Sequence, residues 1–225
     1  MSFHALRGQM RRSLAATLLV AATVVPAGAS AQAYSDVDVD LPAFPDMQPI
    51  PGSPVYWAPD VNSNYFYYDG LFWDYDHDLW HWSAWYNGPW AVVDPVYVPT
   101  YVLWVPVVYY RRPPQFFRPW NPNRPPRWGE HWGTDWQARH NAIYANAGMP
   151  AERAPLPTYQ RQFSRGNYPR GAQQAIIHSQ NFGYMPREGI VRQHYEASGF
   201  TQPRQPQNPA QHDDPRKDDA RRERR

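Results

Sequence analysis

Tyr65-Phe66-Tyr67-Tyr68-Asp69-Gly70-Leu71-Phe72-Trp73-Asp74-Tyr75 decides the fold class. Two aromatic runs flank an Asp-Gly pair. That pair is a strong signal for a two-residue hairpin turn, because glycine takes positive φ at no steric cost. The pattern continues outward: a second turn is expected around Asp76-His77-Asp78, a strand from Leu79 to Tyr86, a third turn at Asn87-Gly88 and a fourth strand over Trp90-Ala91-Val92-Val93. Pro89 puts the start of that last strand at an edge or a bulge, since proline cannot donate to a sheet ladder. The expected fold is mainly β: a small antiparallel aromatic meander with Pro-rich extended segments, one short helix and a largely disordered C-terminal tail.

Alternate side chains of a strand share a face. Leu71, Trp73 and Tyr75 lie on one face of their strand, with Phe72 and Asp74 on the other; Trp80 and Trp82 lie opposite Leu79, His81 and Ser83. Neither face is cleanly polar, so either both are covered or one stays exposed as an aromatic surface.

The flanks read differently. Residues 34–54 are rich in Asp and Pro and are expected to be an extended linker. Residues 91–110 are β-branched and aromatic but contain Pro95, Pro99 and Pro106, which predicts extended, edge-like segments covering the meander. Residues 111–127 should be polyproline II or irregular coil. A short helix is expected from Thr134, as N-cap, to about Ala147, with Gly148 and Pro150 as its stop. Trp128, Trp132, Trp136, His140 and Tyr144 recur every fourth residue, so on helices they would form one stripe, docked on the meander. Residues 149–225 are rich in Pro, Gln and Arg and are expected to be a largely disordered tail, with transient helices over 171–181 and 188–198. The folded domain is thus placed at residues 55–148.

The first 33 residues read as a secretory signal peptide. Arg7, Arg11 and Arg12 form a positive start, an apolar run extends from Ser13 to about Pro26, and small residues offer cleavage after Ala31 or Ala33. No later stretch is expected to span a bilayer, and a periplasmic or secreted location follows. The chain contains no cysteine, which excludes disulfides, thiolate metal sites and thiol nucleophiles. Residues 34–110 hold ten aspartates and no Lys or Arg, whereas 19 basic residues face ten acidic ones in 111–225. Such halves either serve different partners or attract each other.

The segments YFYYDGLFW, WYNGPW, VPTYVLWVPVVYYRRPP and PPRWGEHWGTDW lie in the stretch from about Tyr56 to Trp136, about a third of the chain. Together they resemble an uncharacterised family of aromatic- and proline-rich exported proteins of Proteobacteria. The style is similar to that of YXWGXW-repeat families, although no intact repeat is present. The resemblance implies an envelope location in a Gram-negative cell and transfers no catalytic residue.

Two constellations stand out. Asp74, Asp76 and Asp78 have calcium-loop spacing, but Leu79 and Trp85 occupy the positions where such a loop needs glycine and an acid. A solvated turn is the better reading. A transition-metal site on Asp74, Asp76, His77 and His81, with His131 as a further ligand, is the sharper alternative. Trp57, Trp73, Trp80, Trp82, Trp85 and Trp90 are candidates for a glycan- or partner-binding platform, because flat rings stack on the C–H faces of sugars. The competing reading makes most of them core, since strands bury aromatic area well.

No catalytic motif and no cofactor motif occurs. The expected function is therefore a non-enzymatic envelope protein that binds or packs against an envelope component such as a polysaccharide. A self-assembling structural protein, joined through acidic domain and basic tail, and a periplasmic metal-binding protein are the alternatives. Nucleic acid is not an expected partner after export. The Arg-rich tail, with Arg221, Arg222, Arg224 and Arg225 at its end, is a candidate for contact with an anionic surface. Oligomeric state is left open.

Overall fold

The computed structural model describes residues 39, 41–145, 153–182 and 185–198. The expected signal peptide, its cleavage at Ala31 or Ala33, the helix stop at Gly148 and Pro150, and the terminal arginines lie outside the described residues.

Six antiparallel strands follow one another in sequence order: β1 (Gln48–Pro49), β2 (Tyr56–Trp57), β3 (Tyr65–Tyr68), β4 (Leu71–Asp76), β5 (Leu79–Ser83) and β6 (Ala91–Val93). The Asp69-Gly70 hairpin is present, with Tyr68 opposite Leu71 and positive φ at both turn residues (48° and 87°). The β4–β5 hairpin is equally tight. Asp76 pairs with Leu79, which leaves His77 and Asp78 at φ 49° and 64°. Neither is glycine. Side chains hold the turn instead: Tyr75 OH donates to Asp78 Oδ1 at 2.5 Å, and His77 Nδ1 meets Asp76 Oδ2 at 2.6 Å. His and Asp are among the residues that tolerate this left-handed region.

The ambiguous alternation is resolved by coverage of both faces. Phe66, Tyr68, Leu71, Trp73, Tyr75, Trp80 and Trp82 lie in one buried cluster, and Tyr65, Tyr67 and Phe72 in another with Phe44, Trp85 and Trp90. A strand buried on both sides has no solvent face to be polar, which is why β3 is aromatic throughout and the first three residues of β4 are apolar.

The covers come from segments expected to be extended or disordered. Residues 95–109 do not form edge strands. They coil into a 3-10 turn at Pro95–Tyr97, helix α1 (Thr100–Leu103) and a second 3-10 turn at Val107–Tyr109. The prolines that bar them from a ladder suit the starts of short turns: Pro95 begins the first, with Asp94 accepting from Val96 N at 2.9 Å, and Pro99 and Pro106 flank the others. Segment 111–127 is irregular as expected apart from a 3-10 turn at Gln115–Phe117.

Helices α2 (Trp128–Trp132) and α3 (Thr134–Tyr144) follow. Gly133, at φ 88°, is the residue between them, so Thr134 is the first helical residue and not the cap.

The linker expectation, and the tail expectation over the described residues up to 198, are corrected most, although the helices expected over 171–181 and 188–198 are present. Phe44, Met47 and Ile50 are buried, and β1 joins the sheet within the supposed linker. Three helices occupy the supposed tail: α4 (Thr158–Gln162), α5 (Ala172–Phe182) and α6 (Gly189–Ala197). Tyr159, Ile177, Val191 and Tyr195 are buried. The two segments satisfy each other. Gln160 accepts from Met47 N at 2.9 Å and donates to Met47 O at 2.8 Å, while Tyr159 OH donates to Pro45 O and Tyr168 OH to Asp46 Oδ1, both at 2.7 Å. Composition alone counts few apolar groups in each segment and does not see that each offers the other its partners. Helical residues thus outnumber strand residues, and a mainly β description holds for the sheet but not for the whole chain.

Candidate functional site

The aromatic candidates divide sharply. Trp73, Trp80, Trp82, Trp85 and Trp90 are all buried, so no sugar ring can stack on them in this conformation. Trp80 and Trp82 share a face with Trp73, which sits 5.9 Å from Trp82. Trp85 meets Phe44, and Trp90 meets Tyr65 edge-on. Trp57 is half-buried against Tyr109. Apart from half-buried Trp57, these rings are core, as the competing reading of the sequence has it.

The metal candidates do not converge. Asp74 is buried and accepts a hydrogen bond from Ser63 Oγ. His81 lies opposite it in register, also buried, and burial pushes its pKa down. Asp76 and His77 pair with each other at the turn. His131 Nε2 bonds Asp78 Oδ1 at 2.6 Å and stacks on Phe116 at 3.8 Å. Among the described residues, no group of three or more His, Asp or Glu side chains is arranged to hold a metal ion. These groups build and pin a hairpin turn.

A cavity of about 810 Å³ lies elsewhere, where α1, the 125–130 stretch and α3 come together. Its aromatic walls are Tyr101, Trp104, Trp128 and Trp136; Ser53, Thr100, Gln137 and Asn141 supply hydroxyls and amides, and Arg127 and Glu130 lie at 2.7 Å from each other beside them. Trp104 is 51% exposed, the largest side chain so offered among the described residues.

The aromatic stripe assembles this cavity. Trp128 and Trp132 stack at 4.4 Å and 7°, Trp132 meets Trp136 at 4.8 Å, Trp136 meets His140 at 5.2 Å, and His140 meets Tyr144 at 4.6 Å. Its polar atoms clamp the Pro-punctuated cover. Trp128 Nε1 donates to Leu103 O at 2.9 Å, His140 Nε2 to Val98 O at 3.1 Å and Tyr144 OH to Tyr97 O at 2.8 Å. These three bonds fix α1 against α2 and α3 and so set the position of Trp104. The Gln137 side-chain amide folds over Gly129, and a Cβ there would push that flexible amide aside.

Trp128 and Trp136 are buried walls, so the faces open to a ligand are those of Trp104 and half-buried Tyr101; beside amides and hydroxyls they suit a ligand with an apolar face and a hydroxylated edge. The ion pair at the rim is exposed and contributes little by itself.

Two buried carboxyls lie away from the cavity. Burial raises Asp74 to about 7, with Ser63 and Arg112 acting against that rise. Burial also raises Glu188 to about 7; Asp69 adds to it, and Tyr68 and Arg187 oppose it. Glu188 precedes α6 and accepts from Tyr68 OH at 2.5 Å. Beside it, buried Asp69 accepts from Arg187 Nε at 2.8 Å, Arg187 N at 2.6 Å and Glu188 N at 3.0 Å. The hairpin residue Asp69 therefore anchors the last described helix.

No protein-family model matches the chain, and neither a curated protein nor a solved structure was found to be similar to it.

Sequence reading placed Trp128 and Trp136 on the docked stripe but missed Tyr101, Trp104, Gln137 and Asn141 as cavity walls. Pro99 and Pro106 keep this stretch out of the sheet but do not single out Trp104, because Val102, Leu103 and Val105 between the same prolines are buried.

Proposed function

We propose that the protein is a non-enzymatic binding protein of the Gram-negative cell envelope, exported by its signal peptide, and that the cavity between α1 and α3 holds sugar rings of an envelope polysaccharide. The exposed indole of Trp104 carries this reading. Its side chain stands half in water beside Tyr101 at the cavity, where its ring face is open to a ligand, and Leu103, the residue before it, is held by Trp128 Nε1. The amides of Gln137 and Asn141 supply polar partners for ring hydroxyls. The family resemblance and the export signal point to the same compartment.

The test is calorimetric titration of the mature protein with purified envelope polysaccharides and their oligosaccharides. Wild type should bind saturably, W104A should lose most of the affinity, and Q137A should lose part of it. Equal binding by wild type and W104A would sink the assignment of the cavity.

The self-assembly alternative draws on attraction between acidic and basic halves. Within one chain, Arg165 pairs with Asp46 at 3.2 Å and Asp60 at 3.4 Å, and Arg187 with Asp69. These contacts use that attraction internally, which favours the binding reading over assembly.

A further inference from the structure

The loop leading into the cavity carries an unusual charge pattern. Residues 111–129 contain Arg111, Arg112, Arg118, Arg124 and Arg127 and no acidic residue. All five side chains are exposed. Arg127 pairs with Glu130. Among the described residues, the side chains of the other four make no hydrogen bond or ion pair.

The loop is held in shape. Val107 N donates to Arg124 O at 3.1 Å and Val108 N to Pro122 O at 2.8 Å, which closes its base. Asn64 bonds both backbone groups of Arg112 at 2.9 Å. Phe117, only 2% exposed, plugs the loop against Tyr110 and Trp128. The nearby carboxylates are engaged: Asp78 accepts from Tyr75 and His131, Asp76 meets His77, and buried Asp74, the one that feels the Arg112 charge, accepts from Ser63. From this loop the chain runs through Pro125, Pro126 and Arg127 directly into the cavity wall.

We propose that this loop is an anion-recognition surface and that the polysaccharide held by the cavity bears repeated carboxylate or phosphate groups, which the arginines of 111–124 engage as the polymer passes out of the cavity. The inference rests on the cavity reading above. Guanidinium groups match planar carboxylates and phosphates in two-point contacts, and every cation of the loop is arginine. Anchoring the backbone lowers the ordering cost of binding. A membrane surface fits less well, because the cations continue into a walled cavity suited to a chain of rings.

The experiment titrates the full mature chain by calorimetry with polygalacturonate and with the same polymer after carboxyl reduction, at low and at physiological salt. Wild type should prefer the anionic form by about tenfold at low salt, as expected for a few exposed charge contacts, with the preference shrinking as salt rises. R111Q/R118Q/R124Q should bind both polymers like the neutral one, and R111K/R118K/R124K should recover the salt-dependent part. W104A should weaken both polymers. An unchanged preference in the glutamine variant overturns the loop inference and leaves the cavity reading standing. Loss of anionic binding in the glutamine variant, with no effect of W104A, overturns the cavity reading and with it the joint path. Binding of neither polymer overturns both. Attachment to phosphatidylglycerol vesicles without polymer binding overturns the inference in favour of a lipid surface. Circular dichroism confirms that each variant is folded.

Discussion

Trp80 and Trp104 are the same residue type on one chain, with opposite fates. Trp80 lies on β5, where Tyr75 at 5.0 Å and Trp128 at 5.9 Å enclose it completely. Trp104 follows a four-residue helix bracketed by prolines, touches Tyr101 at 6.0 Å and leaves half its surface in water. The difference is one of neighbours. A sheet supplies partners above, below and on both sides, whereas a Pro-punctuated cover supplies them on one side only. Aromatic content therefore does not distinguish core from platform; the secondary structure around each ring does.

The largest effect that sharpens this contrast is the stability difference between W80A and W104A. W80A should cost about 3–5 kcal/mol in chemical denaturation, and W104A should stay within about 0.5 kcal/mol. Comparable losses would break the comparison.

Next comes the junction between hairpin and helix. D69A removes the acceptor of two backbone N–H groups, one of them buried, and of one Arg187 contact, and it puts alanine at φ 48°, at a cost of roughly 3 kcal/mol. Hydrogen exchange over 185–198 should accelerate before the rest of the fold does.

A smaller effect is pH-dependent. Glu188 and Asp74 have folded-state values near 7, above the ordinary carboxylate range. Their contribution to stability is complete below that ordinary range and fades as pH rises through about 7. His81, His140, His178 and His194, lowered by burial, act oppositely and lose stability as pH falls below the ordinary histidine range. The carboxyl contribution therefore declines between the ordinary carboxylate range and about pH 7 and is flat above it, so E188Q should flatten the pH dependence of the melting temperature between about pH 5 and pH 7. A parallel decline in E188Q would remove Glu188 as its source.

The smallest expected effect is that of H77A. Its side chain is 86% exposed and its pairing with Asp76 is worth little, so the loss, mainly from alanine at φ 49°, should be no more than about 1 kcal/mol. Zinc affinity, measured by calorimetry, should not change. Tight zinc binding lost in H77A would restore the metal reading of the turn.

Much of the sheet was legible because its signals are local. Asp69-Gly70, the Asp76–Asp78 turn and the Trp128-to-Tyr144 spacing each depend on residues a few positions apart, and all three occur in the structure. The candidate site was barely legible. Its walls come from Ser53, from α1 and from α3, and no periodicity links stretches so far apart in sequence.

By itself, then, the sequence determined the antiparallel hairpins, their turns and the single aromatic stripe, since backbone sterics and side-chain alternation act over one or two turns of chain. Tertiary structure alone decided that both faces of the sheet are covered, that residues 41–54 and 153–168 complete each other, and that Trp104 remains in water. Those outcomes depend on which distant surfaces meet. Burial and hydrogen-bond satisfaction are properties of such meetings, and neither segment carries them alone.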